Sequence, residues 1–143
     1  MNPMYVAKVE VSGGRGGHAR SDDGVLDIAL TPPKAMGGPG TGTNPEQLFA
    51  AGYAACFESA LRFQAGQHKT PVTKCVIDAE VGLGPREGGG FELAVTLTFK
   101  ALEGPSRAQA EELIDLVHNK ICPYSNAIRS NVPVTIVLPD SLL

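Results

Sequence analysis

The sequence contains no tryptophan, and aromatic residues make up only 6% of its 143 positions. Its core must therefore rest on aliphatic side chains and a few phenyl and phenol rings. Cysteine is scarce as well: Cys56, Cys75 and Cys122 are all there is. An odd, small number does not make the paired framework of a disulfide-stapled secreted domain. No two of them are spaced CxxC, which argues against a thioredoxin-like motif and against a zinc ribbon. No apolar run approaches the roughly 20 residues of a membrane-spanning helix. The start of the chain, Met1 to Val11, has neither an apolar h-region nor a small-residue cleavage site, so a cytoplasmic protein without a signal peptide is expected. Lysine and arginine form no basic stripe and the net charge is −3, so nucleic acid is not an expected partner. His18, His68 and His118 show no ligand spacing with one another or with the cysteines, so no metal is expected. Gly37 to Gly42 lacks the GK[ST] ending of a phosphate loop, and no cofactor is expected.

What is present is a globular composition. A chain of this length fits one domain, residues 1–143, and 43% hydrophobic content supports a sizeable core. The charged fraction, 19%, is low and implies apolar surface that an oligomer would cover.

Periodicity organises the chain. Tyr5, Ala7, Val9 and Val11 alternate on one face of a strand. Gly13-Gly14-Arg15-Gly16-Gly17 forms a loop, His18 to Ser21 a short strand, and Asp22-Asp23-Gly24 a hairpin turn into a strand over Val25 to Leu30. Pro32-Pro33 ends that strand, and Lys34 to Gly42 reads as a long loop of functional or mobile character. Asn44-Pro45-Glu46-Gln47 opens a helix, with Asn44 as cap, Pro45 at the first position and Gln47 completing a capping box. That helix runs to about Gly66. Its middle is apolar on nearly every face, so it is expected to be buried all round, with Gly52 and the alanines admitting a close neighbour. Strands follow over Thr73 to Leu83 and Phe91 to Lys100. Ser106 caps a second helix with Ala110, Leu113, Ile114, Val117 and Ile121 on its apolar side. A third, short helix opens at Cys122-Pro123 and ends at Asn131, and Val132 to Leu138 is a last strand. Three strands, a helix, two strands, two helices and a strand make an α+β fold.

Among side chains able to carry chemistry, each has a plain reading beside a functional one. Cys56, inside an apolar helix, reads first as a small core hydrophobe. Cys122 opens a short helix, where backbone N–H groups favour a thiolate, so structural and reactive readings stand level. Cys75 sits in an amphipathic strand and reads as structural. A reactive thiol needs a cation to lower its pKa. Arg15, set among glycines that let a loop approach closely, can supply one; otherwise it is a solvated turn residue. Glu46 either complements the helix N-terminus or orients Arg15. Ten helical residues separate Glu46 from Cys56, a rise of about 15 Å. If both serve one site, the helix is broken or the site is shared between subunits, and the apolar helix favours sharing.

These stretches resemble the organic hydroperoxide resistance (Ohr) proteins of the OsmC/Ohr superfamily. The resemblance is carried by Gly13-Gly14-Arg15, by Ser21-Asp22-Asp23-Gly24 and by the block from Gly40 to Phe57 that contains NPEQLFAAGYAACF. It is completed by Cys122-Pro123-Tyr124-Ser125-Asn126-Ala127 with Arg129 and Asn131. It implies an OsmC-like fold, with strands wrapped around a buried central helix in an intertwined homodimer whose two sites lie at the subunit interface. It implies Cys56 as the peroxidatic and Cys122 as the resolving cysteine, Arg15 as the thiolate-activating arginine and Glu46 as its carboxylate partner. The implied activity is reduction of alkyl and fatty-acid hydroperoxides to alcohols. The route is a Cys56 sulfenic acid and a Cys56–Cys122 disulfide, reduced again by a dithiol such as the dihydrolipoyl group of a lipoylated protein. Met36, Phe49 and Phe57 are candidate apolar neighbours of the site, and the Arg15 loop is expected to move between redox states. A broader-specificity OsmC-type peroxidase and a peroxide-sensing redox protein are the alternative readings.

Overall fold

The computed structural model describes residues 1–142, which divide into two compact units. The first is Met1–Leu48 and the second begins at Phe49.

The first unit is an antiparallel sheet in the order β1 (Val9–Ser12), β2 (His18–Ser21), β3 (Asp27–Ala29). The β1–β2 register places Val9 opposite Ser21 and Ser12 opposite His18. The turn before β3 is built as the Asp-Asp-Gly signal implies: Gly24 has φ +73°, and the Asp23 carboxylate accepts from the Val25 amide at 3.0 Å. β1 begins later than the alternation from Tyr5 suggests, because only Val9 onward finds a partner strand. The long stretch after β3 is not featureless. Lys34–Met36 forms a 3₁₀ turn, and the loop ends are tied by Thr43 N–H to Ala29 C=O (3.0 Å) and Thr31 N–H to Thr43 C=O (2.9 Å).

α1 runs unbroken over Pro45–Gln67. Asn44 caps it by accepting from the Gln47 amide at 2.9 Å. The expected capping box is only half formed, because the Gln47 side chain accepts from the Thr43 hydroxyl instead, at 2.8 Å.

In the second unit, β4 (Lys74–Pro85) pairs antiparallel with β5 (Phe91–Glu103), and β6 (Val134–Val137) pairs parallel with β5. A parallel partner needs a crossover. It is supplied by α2 (Arg107–Leu116), one π-helical turn (Val117–Ile121) and α3 (Pro123–Ile128). Ser106 caps α2 with a complete capping box to Gln109. In β5 the buried residues are Val95, Leu97 and Phe99, then Leu102. The change of parity follows from a bulge opposite Val76/Ile77, which inserts one residue and turns the strand's other side inward.

The core of this unit gathers Tyr53, Phe57, Leu61 and Ala65 of α1 with β5 and with Ala110, Leu113 and Ile114 of α2. These α1 residues recur every fourth position, one helical face. The opposite face is open in the single chain: Ala51 and Ala55 are exposed, and Phe63 is 62% exposed. The expected all-round burial of α1 is therefore not met within one chain. Alanines read as apolar in sequence, but burial needs a second surface to cover them. No helix among the described residues is long and apolar enough to cross a membrane.

Candidate active site: two residue pairs

The structure joins the four candidate residues in pairs, one in each unit. In the first unit, Arg15 lies in a 3₁₀ turn, Gly14–Gly16, between β1 and β2. Two of the glycines around it, Gly13 and Gly17, are required by the backbone. A Cβ on Gly17 would lie 1.7 Å from the Ser12 carbonyl oxygen, and Gly13 has φ +72°. The turn presents the guanidinium to Glu46 in the first turn of α1. Nη1 donates to Oε2 at 2.7 Å and Nη2 to Oε1 at 2.5 Å, a fork-to-fork pair. The Glu46 side chain is 16% exposed and Arg15 37%. The hydrogen bonds from Arg15 hold the Glu46 carboxyl below its ordinary range, and Glu46 raises Arg15 in return. The carboxylate thus fixes where the cation points. Beside it runs an apolar groove of about 520 Å³ whose lining includes Val11, Ala19, Leu30, Pro45 and Leu48.

In the second unit, Cys56 of α1 and Cys122, the cap residue of α3, face each other with Sγ atoms 3.8 Å apart. Cys122 is fully buried and Cys56 half-buried. Closing to the bond length of about 2.05 Å needs only a small approach. Burial pushes the Cys56 thiol up; the Tyr124 backbone N–H acts against that rise, and Cys122 adds to it. The amide at the start of α3 that was expected to favour a Cys122 thiolate thus serves Cys56, because that N–H points across to α1. No cation is among the groups acting on Cys56 in the second unit.

Around the sulfurs lies a polar cluster that the sequence reading did not single out. Tyr53 and Ser125 are fully buried with their hydroxyls 2.8 Å apart, and Ser125 Oγ is 3.2 Å from His118 Nδ1. Burial, followed by the Arg129 charge, holds His118 below its ordinary value. Arg129 donates to the His118 carbonyl (2.9 Å) and to Asn126 Oδ1 (2.8 Å), tying the π-helical turn to α3. A signal was available: Tyr53 stands three residues before one cysteine and Ser125 three after the other. The Tyr124 ring stacks on Tyr53, and a Cβ on Gly52 would meet it at 3.3 Å, which is the close approach expected at that glycine.

Of the expected apolar neighbours, Phe49 and Phe57 pack edge-on against Tyr53, and Phe57 is wholly enclosed. Met36 is 53% exposed, in the first unit. Cys75 is half-buried on β4, its thiol pushed up to about 11 by burial and by Glu58. Among the described residues no group of three or more histidine, cysteine or acidic side chains is placed to hold a metal ion.

Two facing thiols on adjacent helices, in an α+β chain that also carries a carboxylate-held arginine, define a dithiol protein. A family model described as OsmC-like protein matches residues 38–137. The organic hydroperoxide resistance protein of Xanthomonas axonopodis pv. citri is 47% identical over 137 residues, 94% of this chain and 94% of its own. The crystal structure of the organic hydroperoxide resistance protein OhrB of Bacillus subtilis superposes with a TM-score of 0.86 at 45% identity, covering 96% of this chain and 100% of that one. A structure from Legionella pneumophila, described as an organic hydroperoxide resistance protein OsmC, gives a TM-score of 0.90 at 43% identity over 96% and 98% of the two chains. The chain belongs to the OsmC-like family, with the organic hydroperoxide resistance proteins of the OsmC/Ohr superfamily.

Proposed function

We propose that this protein is a cysteine-based peroxidase that reduces organic hydroperoxides to alcohols. The observation that carries the reading is the 3.8 Å separation of Cys56 and Cys122. The Cys56 thiolate attacks one peroxide oxygen, the O–O bond breaks, and the alcohol leaves with a proton, so that Cys56 becomes a sulfenic acid. Cys122 displaces the hydroxyl as water and a disulfide forms. A dithiol, of the kind carried by lipoylated proteins, reduces it by exchange.

The thiol of Cys56 is raised by burial within its unit, so its activation needs a cation from elsewhere. We assign that role to Arg15, held by Glu46, across a homodimer interface. The unbroken α1 supports this arrangement, since it leaves Glu46 about 15 Å along the axis from the cysteine of its own helix. So does the exposure of Tyr5 (80%), Val11 (55%) and Phe63 (62%), apolar surface that a partner subunit would cover. In this reading the two units of each chain act as one domain in a cytoplasmic dimer.

The test is the mass and disulfide map of the reduced protein after one equivalent of cumene hydroperoxide. The expected result is a loss of two hydrogens and a Cys56–Cys122 peptide. An unchanged mass, or a bridge to Cys75, overturns the assignment.

A further inference from the structure

The contacts between α1 and α3 come as a matched pair. Cys56 meets Cys122 at 3.8 Å, and Tyr53 meets Ser125 at 2.8 Å. Tyr53 and Cys56 are three residues apart on α1, and Cys122 and Ser125 three apart at the start of α3, so each pair shares a helix face. The partners also run in opposite order along the two helices. Two such points fix how α3 lies against α1 more tightly than the sulfur contact could alone. The Ser125 hydroxyl is the shared member, since His118 Nδ1 contacts it at 3.2 Å, and His118 is in turn held to α3 through Arg129.

We infer that Ser125, bridged between Tyr53 and His118, is a positioning residue for Cys122 that holds its sulfur within reach of Cys56 for disulfide closure. The inference rests on the proposed peroxidase reading for its chemistry, in which Cys56 is oxidised first. In the step concerned, the Cys122 sulfur attacks the Cys56 sulfenic sulfur. The S–S bond forms, the S–O bond breaks, and the hydroxyl leaves with the Cys122 proton as water; Cys122 is oxidised and Cys56 reduced. From 3.8 Å the sulfurs must approach by roughly 1.8 Å, so a displaced α3 raises the barrier to this step and not to the first.

Three variants test it: Ser125→Ala removes the shared hydroxyl, Ser125→Thr retains one, and Tyr53→Phe removes the other end of the bond. Cys56 sulfenic acid formed with cumene hydroperoxide is followed by dimedone labelling, in a Cys122→Ser background, and disulfide closure by loss of free thiols. Oxidation of Cys56 is expected to stay within about twofold of the parent, while closure slows about tenfold or more in Ser125→Ala and Tyr53→Phe. Ser125→Thr should recover most of the closure rate. Equal closure rates in parent, Ser125→Ala and Tyr53→Phe overturn the inference, as does a proportional loss of both steps, the mark of a merely structural role. If Ser125→Ala does not fold, Tyr53→Phe decides. Diamide, which oxidises neighbouring thiols without a peroxide, separates the two readings. Should cumene hydroperoxide leave the parent untouched while diamide closes Cys56–Cys122 readily there and about tenfold more slowly in the variants, the peroxidase reading falls and the positioning role stands.

Discussion

At the scale of single residues, the thiols are distinguished by their surroundings. With its thiol near 11, Cys75 is only about one part in a thousand thiolate at pH 8. With Arg15 activating Cys56 as proposed, iodoacetamide at that pH should leave Cys75 unmodified long after Cys56 has reacted, and Cys75→Ser should consume peroxide at the parent rate. Rapid labelling of Cys75 in the folded protein, seen by peptide mass, would sink this. The Arg15–Glu46 pair makes a pH prediction of defined sign. Arg15 holds the Glu46 carboxyl below the unfolded value of 4.5, so the pair's stabilisation is complete above that pH and is lost as pH falls through the lower, folded pKa. The difference in urea midpoint between parent and Glu46→Gln should therefore shrink on going from pH 7 into the acid range. A difference independent of pH would show that the contact is not ionic in origin. Arg15→Lys keeps the charge but loses the two-pronged contact, and a drop in kcat/KM of about tenfold is expected in a peroxide assay.

At the scale of elements, the sulfur geometry depends on how closely α3 lies on α1. A methyl group on Gly52 would come within 3.3 Å of the Tyr124 ring, so in Gly52→Ala the ring must give by a few tenths of an ångström. A net cost of no more than about 1 kcal/mol is expected, read from chemical denaturation, because the crowding at the ring is offset by the roughly 0.5–1 kcal/mol that alanine gains over glycine inside a helix. Slower disulfide closure should accompany it, and parent-like values of both would show that the ring yields freely. The helix starts were legible in sequence because capping is local: Asn44, Ser106 and the Pro123 turn all begin helices where residue type alone implies. The half-formed box at Gln47, the π-helical turn before Cys122 and the bulge in β5 were not legible. The bulge is set by how β5 pairs with β4, whereas at Gln47 the competition is local: the Thr43 hydroxyl, four residues back, takes the side-chain oxygen that the Asn44 amide would have used.

At the scale of the whole molecule, the shared-site reading makes a quantitative prediction about mixed dimers. Arg15→Ala and Cys56→Ser are each expected to be inactive alone. Random re-pairing of equal amounts makes half the dimers mixed, each with one intact site of two. About a quarter of parental activity should return if Arg15 serves the partner subunit's cysteine, and none if it serves its own. The same solution should sediment as a dimer of about 29.8 kDa, twice the 14.9 kDa chain.

The sequence by itself determined the α+β order of elements, the family, the cysteine and arginine candidates and the glycines that let their loops approach. Each of these follows from residue type, local periodicity or a contiguous block. Only the tertiary structure decided that Glu46 grips Arg15 with both oxygens and that Cys56 meets Cys122. It also showed that the Tyr124 amide serves Cys56, and that Tyr53, Ser125 and His118 form a buried cluster beside the sulfurs. These are contacts between residues as much as 72 positions apart, and no local pattern encodes the distance across a folded core.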